Sequence, residues 1–417
     1  MKILHFVIVA ATCWTAPPLA QAGESAIVAR QILQSGKLAA GEKAFSLRLA
    51  KAPGDDETRF GLGLIRFARA IEHYGQSQYR YGLQPPKTAS IPFLRFPVPV
   101  NPRPEAVSYE AQREVLKSLM ADLAEVDAIL APMGGSDVKI RVNLSDIKFD
   151  LRDNGHADDS GKLSSILASL RMAPPGAKDR PEPFEVAFDS ADALWLRGYC
   201  HLLSGSLEFL LAYDWHVAFE HSGRLFYPNI VPPPMGGAIS APDGGGVGRM
   251  TGFHESFEIA DLIALIHDTN WPVAEPQRLQ AAHAHLKQVV ALSRQTWKAI
   301  LAEADDDHEW IPGPKQKNGV FSDMPVSQEI VDEWLAALDD FDAVLDGKLL
   351  IPYWRFDQGL NLRKVFFEPR TFDLVLWFTG HAAAPYVEAG PVMSDEVWRK
   401  RSEIFGGNFP GYAVWFN

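Results

Sequence analysis

Apolar residues recur along this chain mostly at intervals of three and four. In EAQREVLKSLMADLAEVDAIL, Leu116, Leu119, Leu123, Val126 and Leu130 fall on one stripe, which predicts an amphipathic helix. SQEIVDEWLAALDDFDAVLDGK repeats the pattern with its own punctuation. Ser327 suits the N-cap, acids fill the first turn and Gly347 is placed to end the helix. LQAAHAHLKQVVALSRQTWKAILAE predicts a third such helix. Between these runs lie LQPPKTASIPFLRFPVPVNPRPE and NIVPPPMGGAISAPDGGGVG, whose prolines exclude regular helix and favour extended connections. The expected fold class is mainly α: antiparallel helix pairs with short extended segments.

Two internal patterns refine this. AFSLRLAKAPGDDETRFGLGLIRFARAI reads as helix, Pro-Gly turn, helix, with Leu62-Gly63 early in the second. That pair resembles the tetratricopeptide pattern over about one and a half repeats, where a small residue lets paired helices approach closely. Further on, SLMADLAEVDAIL (118–130) aligns without gaps to EWLAALDDFDAVL (333–345), sharing Leu123/Leu338, Asp127/Asp342 and Leu130/Leu345 among other positions. Each is followed by a strand-like stretch, VKIRVNLSDIKFDL and LLIPYWRF. A duplicated unit would give two related lobes: 23–170, with a calcium-type loop at 150–161, and 185–417, joined within MAPPGAKDRPEP.

The first residues change the picture of where the protein works. Lys2, the apolar run from Ile3 to Trp14 and Ala20-Gln21-Ala22 read as a cleavable export signal over 1–22, with the mature chain starting at Gly23. No later stretch reaches the roughly 18 apolar residues of a membrane helix, so no span is expected and the compartment is periplasmic or extracellular. Cleavage leaves Cys200 as the sole cysteine, without an internal disulfide partner and suited to a buried apolar position. The formal net charge of −12 argues against nucleic acid or anionic membrane surfaces as partners.

FDLRDNGHADDSG (149–161) carries the most specific candidate chemistry. Counted from Asp150, it places Asn154 at position 5, Gly155 at 6, the His156 carbonyl at 7 and Asp158 at 9. Over this dozen residues it resembles the calcium loops of EF-hand and dockerin-type modules, which implies calcium held by Asp150, Asn154, His156 and Asp158. Two departures weaken the likeness: Arg152 stands at ligand position 3, and Gly161 at position 12 replaces the bidentate carboxylate. Asp153 or Asp159 could serve in a shifted register, and the alternative is a polar turn that keeps only Asn-Gly.

Other residues allow different chemistry. His254, Glu258 and Asp261 sit at i, i+4 and i+7, and His216 and Glu220 at i, i+4 beside Asp214 and His221. Together they could form a transition-metal site with mixed ligands. The first group is similar to the Gly-x-His-x-x-Glu element of imelysin-like proteins, but Phe257 stands where that motif has glutamate. APDGGGVGRMTG lacks the Gly-Lys-Ser/Thr ending of a phosphate loop. Tyr353, Trp354, Trp377, Trp398, Tyr412 and Trp415 could stack on sugars or fill a core. RTFDLVLWFTGHAAAPYVEAG is the densest apolar run and predicts a core element ending at Gly380, with His381 at a pocket edge. The functional expectation is an exported, soluble, non-enzymatic binding or scaffold protein for a protein or small-molecule ligand, with a weak structural calcium site. A metal-dependent enzyme and a carbohydrate-active protein stand as alternatives.

Overall fold

A computed structural model describes residues 23–84, 96–134, 137–169, 184–231, 262–321 and 324–417. Residues 1–22, the stretches MAPPGAKDRPEP and APDGGGVGRMTG, and His254, Glu258 and Asp261 all lie outside the described residues.

The protein is mainly helical. In the first half run α1 (Glu24–Ser35), α2 (Leu38–Lys51), α3 (Asp56–Tyr81), α4 (Tyr109–Leu130), α5 (Leu163–Ser169), α6 (Ser190–Leu211) and α7 (His216–Ser222). There follow α8 (262–268), α9 (Pro276–Ile300), α10 (Gln328–Leu345), α11 (Leu362–Phe367), α12 (Leu374–Thr379), α13 (Asp395–Ile404) and α14 (Phe409–Phe416). Local chemistry sets the starts of the long helices. The side chains of Asp55, Ser108 and Ser327 accept from Thr58, Ala111 and Ile330 backbone N–H groups, and Asp189 forms a capping box with Asp192. Pro276 opens α9 at a position where its missing N–H costs nothing. Gly347, with φ +72°, follows the end of α10 in the left-handed region. No described helix is long and apolar enough to cross a membrane.

The strands are two-stranded ladders that pin segments together. β2 (Ile140–Asn143) pairs antiparallel with β3 (Glu185–Phe188). β1 (Val107–Ser108) lies parallel to β4 (Ile230–Val231). β5 (Asn270–Trp271) pairs with β7 (Phe372–Asp373), and β6 (Gly359–Leu360) with β8 (Val387–Glu388).

Two large apolar cores result, with a smaller one of Leu360, Val365, Ala383 and Tyr386. The first gathers Phe45, Phe60 and Ile65 with Leu123, Leu130, Ile140 and Val186. The second gathers Leu279, Val290 and Trp297 with Trp334, Leu338, Leu345 and Phe416. Helix α6 feeds both: Leu196, Cys200 and Leu207 enter the first, and Ala191 the second. It packs along α9 in the most extensive helix contact of the fold, with α4 on its other side and α10 against α9.

The aligned helices α4 and α10 therefore flank the central pair in matching ways. Leu123 and Leu130 are buried in one core, Leu338 and Leu345 in the other. Asp127 pairs with Arg197 of α6 at 2.7 Å, and its counterpart Asp342 pairs with Lys287 and Arg294 of α9. The likeness stops at the helices. After α4 comes the ladder strand β2, whereas after α10 Leu350 and Ile351 make single bridges only.

One expectation is corrected. The dense apolar run does form a helix that ends at Gly380, with φ +89°, but no residue of α12 is buried. Phe378 is 80 % exposed.

Candidate functional site

The loop at 150–161 is fastened at both ends. Phe149 and Leu151 are buried in the first core. The Asp150 backbone N–H donates to Glu72 at 2.7 Å, and Gln76 of α3 donates to the Asp150 carbonyl at 2.8 Å. Within the loop, the buried Asp150 carboxylate accepts from Asn154 N–H at 3.3 Å and Gly155 N–H at 2.7 Å. The Asn154 side chain accepts from His156 N–H, and Asp158 caps Ser160. The Arg152 guanidinium is ion-paired to Asp158.

At the twelfth position the backbone explains the glycine. A Cβ on Gly161 would stand 2.1 Å from the Phe149 carbonyl oxygen, so no ligating side chain fits there. Calcium would have to displace Arg152 from Asp158 and do without that carboxylate. Arg152→Asp removes the cation and adds an oxygen ligand, so its melting temperature is expected to rise with millimolar calcium while the parent's stays constant. With calcium at ten times its Kd the gain would be about 1.4 kcal/mol. Thermal melts in EDTA and in calcium check this; equal calcium responses from the two proteins would sink it.

Beside the loop lies a polar cleft of about 590 Å³. Its walls are one face of α3 (His73, Gln76, Ser77, Tyr79, Arg80), the segment from Asn101 to Glu105, Ser118 of α4, and Arg152 and Asp153 of the loop. Some of these groups are committed. His73 bridges Asp122 at 2.9 Å and Arg69 at 2.7 Å; Arg80 lies over the Tyr81 ring and 3.8 Å from Glu105. Asn101 is held by the Tyr79 and Arg80 carbonyls. The side chains of Ser77, Tyr79, Arg103, Ser118 and Asp153 have no hydrogen-bond or ion-pair partner among the described residues. Sequence reading missed this site because its residues are scattered from 73 to 153 with no fixed spacing. Only Arg152 and Asp153 stood out, as a misfit and a substitute ligand in a calcium loop.

The histidine clusters lie elsewhere. His216 Nε2 is 3.2 Å from Glu220 on one face of α7, as the spacing predicts. Asp214 accepts from the His216 backbone N–H at 3.0 Å. His221 pairs instead with Asp268 at 2.9 Å. Among the described residues no third ligand joins His216 and Glu220.

A separate group of carboxylates was not foreseen. Asp189, Glu303 and Glu309 bring one oxygen each within 4.8 Å of one another, from the start of α6 and the chain beyond α9. Burial and the Asp189 charge push Glu303 up to about 8. Burial, reinforced by Asp189, raises Asp192 well above the usual carboxylate range. Burial also raises Asp189 and Glu309. Such oxygens suit a hard divalent cation. Protons and the Lys139 ammonium, 3.8 Å from Glu309 and paired to Asp305, meet the same excess of negative charge.

Comparison with known proteins finds no matching family model, no matching curated protein and no matching solved structure.

Proposed function

We propose that this is an exported binding protein without a catalytic role, whose helices present the cleft beside the 150–161 loop to a small hydrophilic ligand. The observation that carries the reading is the set of five uncommitted polar side chains, contributed by four separate segments around one opening. Water satisfies such groups until a ligand with matching donors and acceptors replaces it. Arg103 offers five donors and Asp153 a carboxylate, so the ligand carries both acceptors and donors. The basic leader with its small-residue cleavage pattern supports export. Among the described residues the metal-enzyme alternative has His216 and Glu220 to rest on, two ligands where a catalytic zinc uses three.

The test is a thermal-shift screen of the chain from Gly23 against amino acids, sugars and small organic acids, repeated with Arg103→Ala and Asp153→Asn. Asn tolerates the left-handed backbone at 153, where φ is +52°, so both variants are expected to keep the parent stability without ligand. A solute that stabilises the parent, with the gain reduced about tenfold in apparent Kd by either change, is the expected result. A stabilising solute that both variants bind as tightly as the parent places its site elsewhere.

A further inference from the structure

From the charges around the cleft we infer the class of its ligand: a zwitterion, held by its carboxylate at Arg103 and by its ammonium at Asp153. A free amino acid or a short peptide has this chemistry. The inference rests on the binding reading proposed above and narrows it.

The charged groups of the cleft balance. Arg80 lies 3.8 Å from Glu105, and Arg152 is ion-paired to Asp158. His73 accepts from Arg69 at Nε2 and so carries no charge of its own. Behind it, Arg69 pairs with Glu72, and Asp122 lies 3.7 Å from Arg66. With Asp158 included, three arginines of the walls face three carboxylates. Arg103 and Asp153 are the two ions of the lining without a counter-ion among the described residues. An excess of either sign would favour an ion of the other; a balance favours a ligand of no net charge. Among such ligands, a zwitterion meets both free ions with a countercharge, whereas a polyol offers each of them neutral hydroxyls. Charge-assisted hydrogen bonds are about twice as strong as neutral ones, and a guanidinium takes a carboxylate through two parallel bonds.

Both side chains stand on backbone that is already fixed. Arg103 lies between Pro102 and Pro104, which restrict the chain on either side. Its N–H donates to the Asn101 side chain at 2.9 Å, and the Glu105 N–H donates to the Arg80 carbonyl at 3.0 Å. Asp153, with φ +52°, belongs to the turn where the Asp150 carboxylate gathers the N–H groups of Asn154 and Gly155. That turn carries Asp153 to the cleft. Fixed backbone beneath two free charged ends spares the ligand the cost of ordering loops.

Isothermal titration calorimetry of the chain from Gly23 tests this with the free α-amino acids, diglycine and triglycine. For the tightest binder, the N-acetyl derivative removes the ammonium and the C-terminal amide removes the carboxylate. We expect each derivative to bind the parent about tenfold or more weakly than the free zwitterion. The loss on amidation should vanish in Arg103→Gln and the loss on acetylation in Asp153→Asn, since each variant lacks the partner of the charge removed. Circular dichroism confirms that both variants are folded. Derivatives that bind the parent as tightly as the free zwitterion overturn the inference, and so do losses that persist unchanged in both variants. If no zwitterion binds, while a sugar or an organic acid binds and is weakened by either variant, the cleft stands as a binding site and the ligand class falls. If no solute senses either residue, the cleft reading falls as well.

Discussion

Arg113→Met is expected to cost about 2–5 kcal/mol of stability, from leaving two buried carbonyls without their donor. The side chain leaves α4 and threads to the far end of α6. There it donates to the Leu211 carbonyl at 2.8 Å, the Tyr213 carbonyl at 3.1 Å and Glu275 at 2.6 Å. The two carbonyls lie at or just past the end of α6, where no further helical turn supplies N–H donors. Methionine keeps much of the stem's packing and removes every donor, so the loss reports the hydrogen bonds rather than a cavity. Glu275 retains Arg278 at 2.8 Å and is not stranded as a lone charge. Urea unfolding followed by tryptophan fluorescence and circular dichroism measures the change; a loss below about 1 kcal/mol, the worth of an ordinary single hydrogen bond, would show that water replaces the guanidinium.

The second large effect is a dependence of stability on pH centred on Glu303. Its ordinary value is 4.5, and burial with the neighbouring Asp189 charge moves it to about 8 in the folded protein. The folded state then binds a proton that the unfolded state has released. Stability is fully present below about pH 4.5 and declines as pH rises through about 8, by on the order of 1–3 kcal/mol. Glu303→Gln keeps an acceptor for Gln316, which donates to Glu303 at 3.2 Å, and removes the titration. The variant should match the parent near pH 5 and exceed it at pH 8. Part of the slope remains, because the raised Asp192 and Glu309 face the same group. Melting curves across that range decide the matter, and parallel pH profiles for the two proteins would contradict the buried-proton account.

The long helices were legible because each carries its signal within one continuous window. Periodicity and caps placed α4, α9 and α10 within a few residues of their observed ends, down to Ser327 accepting from Ile330 N–H. Cys200 is buried, as its apolar neighbourhood implied. The cleft and the carboxylate group were invisible for the opposite reason. Arg80, Arg103 and Asp153 meet only after α3, α4 and the loop have packed, and Asp189 meets Glu303 across more than a hundred residues. Apolar density misled at α12, since composition tells how much surface prefers to leave water and not what covers it. At the calcium-type loop the turn at Asn154-Gly155 was legible, whereas the pairing of Arg152 with Asp158 and the contact that a Cβ at Gly161 would make with the Phe149 carbonyl depend on how the loop folds.

The buried thiol has a practical consequence. Cys200 is 2 % exposed, and burial pushes its thiol far up from the ordinary range, so it holds almost no thiolate to react. A chain that begins at Gly23 has no other cysteine. One cysteine introduced at Ser118 in the cleft would accept a fluorophore or spin label at a single address. Ligand arrival could then be watched on otherwise native protein.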